Sequence, residues 1–174
     1  MGSVVRPAEP GEAGDLARLH LRTALSAYRH IFPPEAPPPT YAETLAQWRH
    51  WLGPDHAAGR RAFVAVDGVE RVGVVLAGPD PDDPAVGHLA RLYVAPERWA
   101  EGIGRQLYDV GMATMVDAGF PAATLWVLER NTRARSWYER LGWQPTDARK
   151  PTYAPAGIDD VGYRIDLADR PGPP

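Results

Sequence analysis

One stretch constrains this chain more than any other: Leu92-Tyr93-Val94-Ala95-Pro96-Glu97-Arg98-Trp99-Ala100-Glu101-Gly102-Ile103-Gly104-Arg105-Gln106-Leu107. It reads as an apolar strand, a proline-marked turn, a glycine-containing loop and the first turn of a helix. That order sets a row of unpaired backbone N–H groups and the positive end of a helix dipole beside a strand end. Such a construction is an anion site, suited to a phosphate or pyrophosphate. The chain is expected to hold a phosphate-bearing small molecule.

Around that stretch the periodicities alternate between strand and helix. Val4 to Pro7 suits a short strand, and a helix is expected from Glu12 to His30, with Leu16, Leu19 and Ala27 on its apolar face. Ile31 to Pro39 is too rich in proline for helix or central strand, and serves as a stiff linker or as the rim of a substrate mouth. Thr40 can cap a second helix carrying Tyr41, Leu45, Trp48 and Leu52. Arg61 to Val66 and Glu70 to Ala77 form two strands joined at Asp67-Gly68, a good hairpin signal.

A third strand spans Gly87 to Val94, and a helix from Gly104 to Ala118 follows it. In that helix Gly111 lets the apolar stripe lie close on a sheet. Ala123 to Leu128 reads as a buried strand, and Thr132 to Leu141 as a helix closed by Gly142. Strands follow around Trp143 and from Val161 to Leu167. The expected class is α+β with a mixed sheet, in one domain over residues 1–167 with a frayed tail over 168–174.

Composition removes several kinds of protein. A length of 174 residues allows one well-buried core. The net charge of −3 gives no basic footprint for nucleic acid. No apolar run approaches the ~18 residues that span a bilayer, and Met1 to Pro7 lacks the apolar core of a signal peptide. The expected location is the cytoplasm, away from membrane and nucleic acid. With no cysteine there is no disulfide, thiolate metal site or cysteinyl acyl-enzyme, and the serines are confined to Ser3, Ser26 and Ser136. Direct transfer between two bound substrates is favoured over covalent catalysis.

By itself Gly102-Ile103-Gly104 is a weak signal: Leu107 stands where a dinucleotide fingerprint needs glycine, and no Gly-Lys-Ser/Thr follows. Specificity comes with a second stretch, Leu125 to Trp143, which contains Asn131, Ala134, Tyr138 and Gly142-Trp143. Together the two stretches resemble the GNAT (Gcn5-related) N-acetyltransferase superfamily, which carries a strand, a Gln/Arg-x-x-Gly-x-Gly/Ala loop and a helix. A strand, Asn-x-x-Ala-x-x-Tyr and Gly-Phe then follow in that family. The resemblance covers residues 1 to 167, most specifically Gly87 to Trp143. It implies a mixed, mostly antiparallel twisted sheet with flanking helices, splayed at its central strand pair.

The resemblance also implies roles. Acetyl-CoA would be the co-substrate and an amine the acceptor, with transfer in a ternary complex; the alternative is a binding module that senses acyl-CoA without turnover. The pantetheine arm would fill the splay beside Leu92, Tyr93 and Val94, pairing with main-chain groups of Leu92 and Val94. Amides of Trp99, Ala100, Glu101, Gly102, Ile103, Gly104 and Arg105 would hold the pyrophosphate. Trp99 occupies the position where the family prefers Gln or Arg, with Arg98 one place earlier. Asn131, alone a helix N-cap, becomes a cofactor contact, and Ala134 is small because the cofactor passes close. Tyr138, alone a packed aromatic, becomes the proton donor to the departing thiolate.

The amine proton needs its own outlet, because an alkyl ammonium with a pKa near ~10 costs about 4 kcal/mol to deprotonate at pH 7. A base, a water chain or a pocket of raised potential can meet that cost. His88 stands where relatives often carry Glu, with an intrinsic pKa near ~6.5; Glu129, at a strand end, is the second candidate. Strand alternation groups His88 with Ala90, Leu92 and Val94, and a bulge near the splay would redirect it. His20, His30, His50 and His56 show no metal-ligand spacing, so no metal is expected. The acceptor's pocket is expected along Ala24 to Pro39, with Tyr28, His30 and Phe32. Family members are often dimers, and here six tryptophans are the sole hint of an interface.

Overall fold

The computed structural model describes residues 2–54 and 59–168. The alternating segments become β2 (Arg61–Asp67) and β3 (Glu70–Pro79). Their two-residue loop is Gly68-Val69, not Asp67-Gly68, because Asp67 pairs with Glu70; Gly68 takes φ +59°, which a hairpin turn demands at its first central position. β1 (Val4–Pro7) pairs with β2, and β4 (Gly87–Val94) with β3. β5 (Ala122–Leu128), β6 (Gln144–Tyr153) and β7 (Ile158–Asp166) complete a seven-stranded sheet of order β1-β2-β3-β4-β5-β7-β6. Every neighbouring pair is antiparallel except β4–β5, so the mixed, mostly antiparallel sheet is present.

Two helical layers sandwich the sheet. α1 (Ala13–Tyr28) and α2 (Tyr41–Leu52) bury Leu16, Leu19 and Trp48 against Val64 and Val74. Thr40 caps α2 as expected, its Oγ1 accepting from the Glu43 N–H at 3.3 Å while Glu43 accepts from the Thr40 N–H. On the other face α3 (Ile103–Asp117) and α4 (Thr132–Arg140) pack over Val75, Leu89, Leu125, Val127 and Tyr163. Gly111 does let α3 lie close, since a Cβ there would stand 3.1 Å from both Leu89 Cδ1 and Val75 Cγ2.

The C-terminal strands differ from the sequence reading. Trp143 lies ahead of β6, fully buried, with its indole N–H 3.0 Å from the Tyr108 hydroxyl. β6 then runs for ten residues as the sheet's edge. It shows no alternation and contains Pro145 and Pro151, which an edge strand tolerates because one side of its backbone needs no partner. Past residue 168 the expected tail lies outside the described residues, as does His56. No helix among the described residues is long and apolar enough to cross a membrane.

Glu12 ties three elements together. Its carboxylate, 5% exposed, meets Arg6 at the end of β1 and Arg71 on β3 at 2.8 Å each, and accepts from the Glu9 N–H at 2.8 Å. The Arg6 hydrogen bonds, opposed by burial and helped by Glu9 and Arg71, hold its pKa down at about 2. The stabilisation is therefore complete above the ordinary carboxylate pKa and lost as pH falls towards 2. Glu12→Gln is expected to cost about 3 kcal/mol at neutral pH, the scale of a broken buried ion pair. Urea denaturation of the two proteins should give that gap at pH 7 and a much smaller one near pH 2.

Candidate active site

β4 and β5 pair only at Gly87–Ala123 and His88–Thr124. Beyond those positions the strands separate, so among the described residues the backbone of β4 from Ala90 to Val94 has no strand partner on its β5 side. A cavity of about 610 Å³ opens there. Leu92, Tyr93 and Val94 form one wall, Thr23 and Tyr28 of α1 another, and Asn131, Ala134 and Tyr138 of α4 a third.

The floor is the loop into α3. Trp99 N–H is satisfied by the Pro96 carbonyl at 3.3 Å, and Arg105 N–H by the Gly102 carbonyl at 3.0 Å. The amides between them, Ala100 to Gly104, have no backbone partner among the described residues. The unpaired amides are thus Ala100 to Gly104, within the stretch Trp99 to Arg105 of the sequence reading. Ala100 and Gly102 take left-handed φ values of +68° and +84°, which aim successive N–H groups inwards as a nest ahead of the α3 dipole. Ile103 contributes only its backbone here, because its side chain is 2% exposed in the core. Glu101 is exposed and holds Arg98 Nε at 2.7 Å; neither Glu101 nor Ile103 lines the cavity.

Trp99 has a purpose that the family pattern did not suggest. Its indole N–H donates to the Val94 carbonyl at 2.8 Å, and the Thr23 hydroxyl reaches the same oxygen at 3.3 Å. Of the groups expected to pair with a pantetheine arm, the Val94 carbonyl is therefore taken. The Arg133 guanidinium lies 4.2 Å from the Trp99 ring centre, so α4 supplies a cation where a Gln or Arg was expected on the loop. Arg98 cannot fill that role: its guanidinium is held by Asp67 at 2.8 Å and by Glu101.

Asn131 is the N-cap of α4, accepting from the Ala134 N–H at 3.2 Å, and it also lines the cavity. Tyr138 lines it too, and its hydroxyl has no hydrogen-bond partner among the described residues. Burial first, then the neighbouring Tyr108 and Tyr93 hydroxyls, push its pKa well above the ordinary tyrosine value. The phenol therefore stays protonated, in the form that can donate.

The two base candidates lie elsewhere. His88 is 6% exposed at the last paired position of β4, outside the cavity lining. A bulge intervenes: Leu76 faces Arg91 while Ala77 faces Leu89, leaving Ala90 as the extra residue. His88 thus shares a face with Arg91 and Tyr93, not with Leu92 and Val94. Its Nδ1 sits 2.8 Å from Thr124 Oγ1, and the Thr124 hydroxyl donates in turn to Asp80. That chain assigns the Nδ1–H tautomer and leaves Nε2 as the acceptor. Burial lowers the His88 pKa to about 4; Asp80 opposes the shift, and Arg60, Arg91 and Lys150 add to it. Glu129 is exposed, its carboxylate 4.0 Å from Arg149 and outside the cavity lining.

Sequence reasoning missed two groups packed around Tyr93 and Tyr28 of the cavity wall. His20 stacks on Tyr93 at 4.3 Å, with its Nε2 2.9 Å from the Tyr93 hydroxyl. Asp160 is half-buried, interacts with Tyr28 and Tyr93, and has its pKa raised by burial. The Asp159-Asp160 pair between Ile158 and Val161 was the signal available for it, since strand alternation turns one of two adjacent carboxylates inwards. The proline-rich segment starts with Ile31 buried against Leu128 and Ile158 and links two helices; none of residues 31–39 lines the cavity, which Tyr28 and His30 border from the end of α1. Among the described residues, no group of three metal-ligating side chains converges.

The splayed parallel pair, the unpaired amides of the loop into α3 and Tyr138 border one cavity, and sequence comparison gives the class of protein that carries it. The profile of the Acetyltransferase (GNAT) family matches residues 22–143, and the chain belongs to that family. A probable N-acetyltransferase of Mycobacterium tuberculosis is 30% identical over 117 residues, covering 66% of this chain and 65% of that protein. A mycothiol acetyltransferase of Pseudarthrobacter chlorophenolicus is 33% identical over 151 residues, 84% of this chain but 44% of the relative. The chain thus spans less than two thirds of the length of either. In fold it resembles the PaiA N-acetyltransferase of Thermoplasma acidophilum, solved with coenzyme A, with a TM-score of 0.74 at 16% identity over 96% of this chain and 100% of that one.

Proposed function

We propose that residues 1–167 form one N-acetyltransferase domain that moves acetyl from acetyl-CoA directly to an amine in a ternary complex. The observation that carries this reading is the protonated Tyr138 hydroxyl on the cavity wall, unpartnered, across from the free amides of Ala100 to Gly104. The pyrophosphate sits in the nest, the pantetheine arm takes the unpaired edge of β4, and the thioester arrives at the splay. The amine attacks the thioester carbonyl; the C–N bond forms, the C–S bond breaks, and Tyr138 gives its proton to the thiolate. The amine's proton leaves through the acceptor face and passes by way of water to His88 Nε2, the base, which lies outside the cavity lining. Trp99 gives no support to a sensing module, since its side chain reinforces the β4 end and stacks Arg133 beside the cavity. Thiol release from acetyl-CoA by the purified protein with a panel of amines tests the reading; binding of acetyl-CoA with no release for any amine would replace it with the sensor.

With His88 as base, His88→Ala is expected to lower kcat/KM about 10²-fold, the low end of general-base assistance, with acetyl-CoA affinity unchanged. The acidic limb of the wild-type profile should lie near pH 4, not near neutrality, because burial and three cations depress the imidazole. The sign for stability is the same. A histidine whose folded pKa lies below its ordinary 6.5 opposes folding as pH drops from 6.5 towards 4, so His88→Ala should flatten the loss of stability over that range. Wild-type rates across pH would leave His88 as a strand residue.

A further inference from the structure

The bulge at Ala90 turns Arg91 to the sheet face that carries His88 and Tyr93, away from α3. Arg60 reaches the same face from the start of β2. It fits because residue 78 is glycine: a Cβ on Gly78, the cross-strand partner of His88, would stand 2.5 Å from Arg60 Cγ.

These two guanidiniums are engaged unlike those of the ion-paired arginines. Arg6, Arg71, Arg98 and Arg105 each meet a carboxylate at 2.7 or 2.8 Å. Among the described residues Arg60 reaches only the Pro79 carbonyl, at 3.4 Å. Arg91 reaches only the Ala90 carbonyl, at 2.6 Å, and lies 4.9 Å from the Trp51 ring centre. Nε of each is buried without a hydrogen-bond partner among the described residues. Buried donors are ordinarily satisfied, and each exception calls for an explanation.

The acids on this face do not answer them. Asp80 accepts from the Thr124 hydroxyl and from the amides of Asp82 and Asp83, and Asp160 is hydrogen-bonded to Thr152. Asp80 acts on Arg60, and Asp160 on Arg91, through space and without a hydrogen bond, and the positive charge is still felt by the neighbours: Arg60, Arg91 and Lys150 oppose protonation of His88, and Arg91 that of His20.

Resting on the acetyl-transfer reading, we propose that the acceptor is an amine carrying its own anionic group, a carboxylate or a phosphate, which Arg91 and Arg60 hold on this face of the sheet. A planar guanidinium braced by an indole presents its N–H fork to such an oxyanion. The same cations favour the neutral, nucleophilic form of the amine beside them. Once the anion is seated, it also offsets the share of the His88 shift that Arg60 and Arg91 add to burial.

Matched acceptors test the proposal on the intact chain. γ-Aminobutyrate against butylamine and O-phosphoethanolamine against ethanolamine differ by one anionic group each, and the two arms separate carboxylate from phosphate. In at least one pair kcat/KM should favour the anionic member about 10- to 100-fold, the scale of hydrogen bonds to a charged group. Arg91→Gln should collapse that ratio towards one, and Arg91→Lys should restore part of it. Acetylation of both members at equal efficiency in both pairs overturns the proposal while leaving acetyl transfer in place. So does a preference that survives Arg91→Gln. Absence of thiol release with every amine brings down the acetyl-transfer reading itself, and this inference with it.

Discussion

Tyr138→Phe is expected to lower kcat about 10²- to 10⁴-fold, the usual contribution of a positioned general acid, while the KM for acetyl-CoA stays close to that of the wild type. The change deletes one oxygen and keeps the ring, which packs against Trp137 and Trp143 at 5.0 and 6.1 Å between centroids. The hydroxyl has no partner among the described residues, so its removal orphans nothing. Stability should be unchanged or slightly raised, which separates a catalytic loss from a folding one. Because burial raises the Tyr138 pKa, the acid form persists through the neutral range, and no basic limb near pH 10 should come from this residue. Steady-state kinetics beside thermal melting decide it. Wild-type turnover in a folded Tyr138→Phe protein would return Tyr138 to the core, where its spacing alone had put it.

The fold was legible where local pattern and tertiary role coincide. β4 begins and ends as the sequence reading had it, Thr40 caps α2, and Gly142, at φ +95°, closes α4. β6 was hidden because an edge strand with one partner has no buried face to impose alternation. The site was legible in its loop and in α4, where spacing alone fixes which residues are neighbours. Where geometry depends on a backbone irregularity it was legible only as an alternative, the bulge near the splay that would redirect His88. One extra residue at Ala90 moves His88 from the face of Leu92 to that of Arg91 and Tyr93, and no composition rule announces a bulge. Asp160, His20 and Arg60 come from distant segments, and each acts on Arg91, which the bulge at Ala90 turns to their face of the sheet, so no local spacing groups them. Trp99 illustrates a third limit. It departs from the family pattern, yet its indole holds the Val94 carbonyl and its face carries Arg133, so the departure is a different construction of the same corner.

Gly102→Val should cost the protein most of its acetyl-CoA affinity, by about 10- to 100-fold, as read by calorimetry. Gly102 caps α3 at φ +84°, where a β-branched residue pays roughly 1–3 kcal/mol of backbone strain. No atom stands within 4 Å of the Cβ that would be added, so the substitution meets no clash in the folded chain. The strain is relieved only by rotating the loop, and that rotation turns the amides of Ala100 to Gly104 out of their common focus. Gly119, just beyond the other end of α3, supplies the control: it takes φ +79°, also with nothing within 4 Å. Gly119→Val should therefore lose similar stability and bind acetyl-CoA as the wild type does. If both variants bind alike, the loop of residues 99–105 is an ordinary helix entry, and the phosphate site must be sought elsewhere along the splay.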